Sequence, residues 1–235
     1  MPASTAKSHF WAGAAQGLPF ILVIGPFGAL FGVVGTEAGL DIAEVMALTV
    51  LVIAGAAQFT AVQLMTENAP VILILSAALM VNLRMAMYSA ALVPYLGAAP
   101  LWQRALVAYL NVDQCYACAA ARYETHPGMT VRERVSFFLG VAAPIAPLWY
   151  AATWAGATFG ATVPEGWALD FALPITFIAM LGPLLRSLPN VAAAMVSATV
   201  ALALRGLPPG IGLMIAALCA LVAGAAVDVW LERRA

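Results

Sequence analysis

The stretch PVILILSAALMVNLRMAMYSAALVPY, Pro70 to Tyr95, carries one charge, Arg84, in an otherwise apolar run. About 20 apolar residues in a helix cross the hydrocarbon core of a bilayer, so this stretch predicts a transmembrane helix. Working outward, comparable runs recur at Gly17–Val34, Glu44–Met65, Arg104–Arg122, Val135–Phe159, Phe171–Leu188, Asn190–Leu204 and Gly210–Leu231. Together they predict an all-α integral membrane protein of about eight transmembrane helices, a single transmembrane domain over residues 1–235. Asn190–Leu204 is short enough to re-enter the bilayer instead of crossing it.

Composition narrows the function. Of 235 residues, 64% are hydrophobic and 9% charged, and the mean hydropathy is +0.96; soluble domains are about a quarter charged. The net charge of −1 comes with no basic cluster, which excludes nucleic acid as a partner. The first apolar run holds Gly17, Pro19, Gly25 and Pro26 where a signal peptide needs a compact core and a small-residue cleavage site, so it is expected to be a retained span. H-E-x-x-H and G-x-S-x-G motifs are missing, and the two histidines, His9 and His126, lie in polar segments. Those features argue against a membrane protease, a metalloenzyme or a haem protein. There is no G-x-x-x-x-G-K-[ST] for ATP hydrolysis, and no cofactor is expected. Cys115 and Cys118 form a C-x-x-C within an apolar run and lack a second ligand pair, a pattern of helix packing more than of zinc.

Eight crossings with a cytoplasmic N-terminus place Lys7, Arg122, Arg132, Arg134, Arg186, Arg233 and Arg234 inside, Arg104 and Arg205 outside, and Arg84 in the membrane. That distribution follows the positive-inside rule and predicts both termini in the cytoplasm. The halves about 17–122 and 135–231 echo each other. Gly25-Pro26 and Ala143-Pro144 interrupt the first and fifth spans, and Gly55-Ala56-Ala57-Gln58 and Gly182-Pro183 interrupt the second and sixth. Paired helix breaks in two repeated halves point to a transporter binding site, because unwinding frees backbone groups near the midplane. Isolated kinks with no function are the alternative.

An unpaired Arg84 at depth would cost about 3 kcal/mol or more. Asp113, in Asn111-Val112-Asp113-Gln114, is the partner within reach, forming either a substrate or proton site or a structural tie between helices. Gln58, Gln63, Asn82 and Asn111 add neutral hydrogen-bonding groups at similar depth, and Gln58 stands out because it follows a helix break. The candidate substrate-binding set is Pro26, Gly28, Gly55, Gln58, Asn82, Arg84, Asp113 and Gly182.

These residues fall in segments with a family likeness. Gly17-Leu18-Pro19, Gly25-Pro26-Phe27-Gly28, Phe31-Gly32, Gly55-Ala56-Ala57-Gln58-Phe59, Asn82-Leu83-Arg84, Tyr88-Ser89 and Asp113 resemble the AzlC family of branched-chain amino acid permeases. The resemblance covers nearly the whole chain. It implies an exporter of hydrophobic amino acids in a bacterial inner membrane and a small second membrane subunit of the AzlD type. Similar members carry a histidine after the arginine and an acidic residue after the aspartate; here Met85 and Gln114 occupy those places. A passive channel for a small polar solute and a membrane scaffold that moves nothing are the rival readings.

Overall fold

The computed structural model describes residues 6–159, 185, 187–207 and 211–234, which are helical or link helices, with no strand among them. They belong to two compact units: Met1–Phe59 with Leu79–Thr162, and Thr60–Ala78 with Val163–Ala235.

In the first unit α1 (Ala6–Gly17) and α2 (Ile21–Glu37) are joined through a 3-10 turn, Leu18–Phe20, into one apolar element of 32 residues. At 1.5 Å per residue this is about 48 Å long, more than the ~30 Å hydrocarbon core. It packs along α8 (Val131–Phe159). A Cβ on Gly13 would overlap the Phe137 carbonyl and one on Gly32 the Thr153 carbonyl; Gly140 and Gly156 meet the carbonyls of Phe10 and Ala29 in return. Small residues let membrane helices bring their backbones this close. Residue numbers rise together along the contact, so the two long helices run parallel.

Two expected interruptions are therefore not breaks: Pro26 lies inside α2, and Pro144 lies inside α8 together with Pro147. A proline deletes one N–H and can kink a helix without unwinding it, and the neighbouring helix holds the turns on either side.

The second expected span is broken and folds back. Helix α3 (Ile42–Leu51) opens with a capping box, in which Glu44 N–H donates to Asp41 Oδ1 at 2.8 Å and Asp41 N–H donates to Glu44 Oε2 at 2.9 Å. Val45 packs on Gly35, so α3 descends beside the end of α2. After Val52–Ala54 the chain resumes as α4 (Gly55–Thr66), and Gln58 Nε2 donates to Thr49 Oγ1 at 3.3 Å. A straight path would hold those Cα atoms roughly 20 Å apart, beyond what the two side chains can bridge, so the chain reverses at the break.

The fourth expected span, Arg104–Arg122, does the same from the other end. Helix α5 (Val71–Leu96) is followed by α6 (Leu101–Tyr109) and α7 (Asp113–Thr125). Arg84 meets Asp113, Tyr88 stacks on Tyr116 and Tyr95 lies against Tyr123, so α7 runs parallel to α5. The chain leaves α5 at the level of Tyr95 and starts α7 at the level of Arg84; α6 carries it back up. At nine and 13 residues neither helix spans the core alone, so the fourth segment is a re-entrant hairpin and not a crossing.

The two stretches α2–α3–α4 and α5–α6–α7 share one plan, with links of four residues and breaks of three, and their hairpins come from opposite ends. The longer expected repeat turns on Gly182-Pro183, which lies outside the described residues, as does most of the expected span Phe171–Leu188.

The hairpins also correct the charge distribution. Arg104 was expected on the outer side, but α6 starts beside Leu96 at the end where Tyr95 C=O accepts from Arg134 Nη1 at 3.4 Å and Ser136 donates to Ala6. Arg104 thus shares an end with Lys7, Arg122, Arg132 and Arg134, while Glu37, Asp41 and Glu44 lie at the other. The positive-inside rule predicts the basic end on the cytoplasmic side. Cysteines at Ala98 and Gly128, in a background freed of Cys115, Cys118 and Cys219, are expected to react with an impermeant thiol reagent from one side. A cysteine at Glu37 should react from the opposite side. Labelling of Ala98→Cys and Gly128→Cys from opposite sides would restore a crossing at 104–122.

In the second unit Leu64, Ala69 and Ala77 bury together with Leu73 and Ile74 around the α4–α5 turn, where Asn68 takes a φ of 54°. Helices α9 (Leu188–Ala203) and α10 (Ile211–Glu232) pair antiparallel, Gly212 beside Leu204 and Gly224 beside Ala193. The expected spans Asn190–Leu204 and Gly210–Leu231 correspond to these two helices.

Candidate functional site

The tips of the two hairpins meet. Tyr109, the last residue of α6, donates its hydroxyl to the carbonyl of Val50 near the end of α3. Its one proton being used, Tyr109 accepts from the Tyr150 hydroxyl of α8 at 2.7 Å. Tyr109 therefore ties hairpin to hairpin and both to the long helix. Behind the α3–α4 tip, Phe27, Phe31, Phe59 and Trp149 form an aromatic cluster, with Phe27 and Phe59 centroids 4.8 Å apart. Gly55 starts α4 against Phe27 and Trp149, where a Cβ would come within 2.7 Å of the Phe27 ring. A larger residue would push the tip off this cluster.

Each tip presents the start of a helix. In α7 the first helical bond is Tyr116 N–H to Val112 C=O at 3.0 Å, which leaves the amides of Asp113, Gln114 and Cys115 without a helical acceptor. In α4 the first is Gln58 N–H to Ala54 C=O at 3.0 Å. Partial positive charge at such helix starts favours anions, and the carbonyl ends of α3 and α6 nearby favour cations.

Arg84 Nη1 lies 3.1 Å from Asp113 Oδ2, the pair anticipated from the two intramembrane charges. It is not saturated: Arg84 Nε and Asp113 Oδ1 are both occluded and have no hydrogen-bond partner. One unfilled donor on Arg84 and one unfilled acceptor on Asp113, whose carboxylate also meets the Tyr88 side chain, suit a solute that carries both charges. Asp113 also sits in the first turn of α7, where the helix dipole favours its carboxylate.

The other candidates are spread over the unit. Gln58 is buried, its amide nitrogen spent on Thr49 and its Oε1 unpartnered. Asn82 Oδ1 is likewise buried and unpartnered, but Asn82 lies two residues before Arg84, about 200° round the helix, so it is not on the face that meets Asp113. Gly28 is turned to Trp149 and Ala152 of α8 and serves the helix contact. Pro26 is inside α2, and Gly182 lies outside the described residues. Cys115 and Cys118 are both free thiols on α7.

Two features escaped the sequence reading. The break at Asn111-Val112 contains no Gly or Pro; its signal was the polar cluster Asn111–Gln114 inside an apolar run. The Tyr109–Tyr150 bond joins residues 41 apart, and no local pattern marks it.

Among the described residues, four helices long and apolar enough to cross a membrane, shorter apolar helices, and two opposed hairpins beside an ion pair define a polytopic helical membrane protein. The sequence profile of the family described as AzlC protein matches residues 19–163, well over half of the chain and the whole of α2 to α8, and the chain belongs to the AzlC family. No curated protein and no solved structure matches it.

Proposed function

We propose that this chain is the large subunit of a secondary transporter that exports hydrophobic, branched-chain amino acids across a bacterial inner membrane, working with a small AzlD-type membrane partner. The observation that carries the reading is the unsaturated Arg84–Asp113 pair at the start of α7, beside the joined hairpin tips. An amino acid zwitterion needs donors for its carboxylate, an acceptor for its ammonium and apolar walls for its side chain. Arg84 Nε and the amides at the start of α7 supply the first and Asp113 Oδ1 the second. Because these two atoms are occluded, loading requires a rearrangement around the pair, and parting of the hairpin tips at the Tyr109 bonds would supply one. That is alternating access, in which broken helices gate a site near the midplane.

The test is flux in proteoliposomes loaded with labelled valine, leucine, isoleucine or methionine, with and without the small partner co-reconstituted. Saturable, gradient-driven efflux is expected. Flux that never saturates and never runs uphill would make the protein a passive channel, and the lack of any flux under both conditions would leave a scaffold.

A further inference from the structure

Between the second half of α5 and α6 lies a cleft of about 180 Å³, closed on one side by Leu92 and Leu96 and on the other by Val107 and Ala108. Arg104 lines it at the basic end of the unit, and Ser89 and Asn111 line its far end, at the hairpin tip. Neither polar residue was assigned a part in the pair site. Asn111 is 1% exposed. Its Nδ2 donates to Ser89 Oγ at 3.2 Å, and its Oδ1, buried as well, has no partner. A buried amide oxygen without a donor costs about 1–3 kcal/mol. Because Ser89 already accepts from Asn111, its own proton is available to donate. The end of the cleft therefore offers one acceptor and one donor a hydrogen bond apart, and its walls are aliphatic.

The geometry points to this cleft as a cytoplasmic-side subsite for a hydrophobic α-amino acid, with the ammonium on Asn111 Oδ1, a carboxylate oxygen on the Ser89 hydroxyl and the side chain along Leu92, Leu96 and Val107. Arg104, exposed at the basic end, raises the local concentration of carboxylates. The volume admits one small solute and is well below the range of drug-sized pockets. The inference rests on the transport reading and deepens it: the solute would dock here, one hairpin tip away from Asp113, once a shift of the α6 end uncovers Asn111 Oδ1. Selection among aliphatic side chains is then made by the α5–α6 walls and not by the ion pair.

Ala108→Leu narrows the cleft without touching a polar group. In inside-out vesicles carrying the full chain and its small partner, KM for leucine is expected to rise about tenfold and KM for alanine less than threefold, since a methylene-scale misfit is worth about 1–3 kcal/mol. Arg104→Ala should raise KM for both about threefold at low ionic strength, an effect that fades with added salt. Asn111→Gln, which keeps the amide acceptor and adds no charge, should transport, whereas Asn111→Leu should not. Surface expression checked by a tag guards the last variant, and Ala108→Leu carries the test if Asn111→Leu fails to assemble. Saturable leucine transport whose leucine-to-alanine KM ratio is unmoved by Ala108→Leu overturns the subsite and leaves the transporter intact. Failure of the wild-type protein to transport any amino acid overturns both.

Discussion

Arg84→Ala is expected to abolish amino acid efflux, lowering the initial rate by about 100-fold or more while the protein still inserts. The substitution removes the cation and leaves Asp113 charged in the bilayer, and a lone carboxylate at depth costs about 2.5–3.5 kcal/mol on insertion scales. Expressed in the transporting state, that cost alone is roughly 100-fold in rate, at 1.36 kcal/mol per tenfold. Arg84→Lys should do only partly better. It keeps the charge, but lysine has no planar fork able to hold Asp113 with one nitrogen while Nε remains free for a substrate carboxylate. The exchanged pair Arg84→Asp with Asp113→Arg restores neutrality but puts a cation in the first turn of α7, against the helix dipole. It should recover insertion and stability, read as thermal unfolding in detergent, with little transport. Efflux of Arg84→Ala within threefold of wild type would show that the pair is not where substrate binds. A double-mutant cycle on stability that returned no coupling would show that the two charges do not meet in the dominant state.

The pair was legible because the bilayer is an unforgiving solvent. Two charges in otherwise apolar runs, on segments joined by a short link, had to find each other, and they did at 3.1 Å. The all-helical membrane class followed from the same solvent, since a spanning backbone must satisfy its own polar groups. Crossing was harder to read than helicity. Hydropathy sums over Glu44–Met65 and Arg104–Arg122 cannot tell one continuous helix from two short ones that turn back, because both bury similar apolar surface. What separates them is tertiary: Gln58 bonding to Thr49, and Asn111 to Ser89. The prolines misled in the opposite sense. Pro26 and Pro144 read as breaks, yet the glycines around them let α2 and α8 pack so closely that both stay helical. The breaks that do occur, at Val52–Ala54 and Leu110–Val112, are set by what the flanking half-helices touch.

Asp113→Asn is expected to uncouple the transporter without emptying its site. Asparagine has nearly the shape of aspartate, and its amide oxygen can still accept from Arg84 Nη1, so the α5–α7 contact should survive. What it cannot do is take up a proton and give it back. In the structure Oδ2 of Asp113 is held by Arg84, the Tyr88 side chain lies against the same carboxylate, and Oδ1 makes no hydrogen bond, so substrate ammonium and proton would compete for Oδ1. Such mutual exclusion is what antiport requires, because a site that held both or neither equally well would dissipate the gradient. Efflux driven by an imposed pH gradient should therefore fall at least tenfold in Asp113→Asn and lose its dependence on the gradient. Exchange of labelled for unlabelled leucine, which moves no net proton, should persist at a measurable fraction of the wild-type rate. Gln114 follows Asp113 where a second carboxylate could have passed the proton on, and Asp113→Glu should retain part of the coupling. If Asp113→Asn exports at the wild-type rate with unchanged pH dependence, Asp113 is a structural partner of Arg84 and the driving ion binds elsewhere.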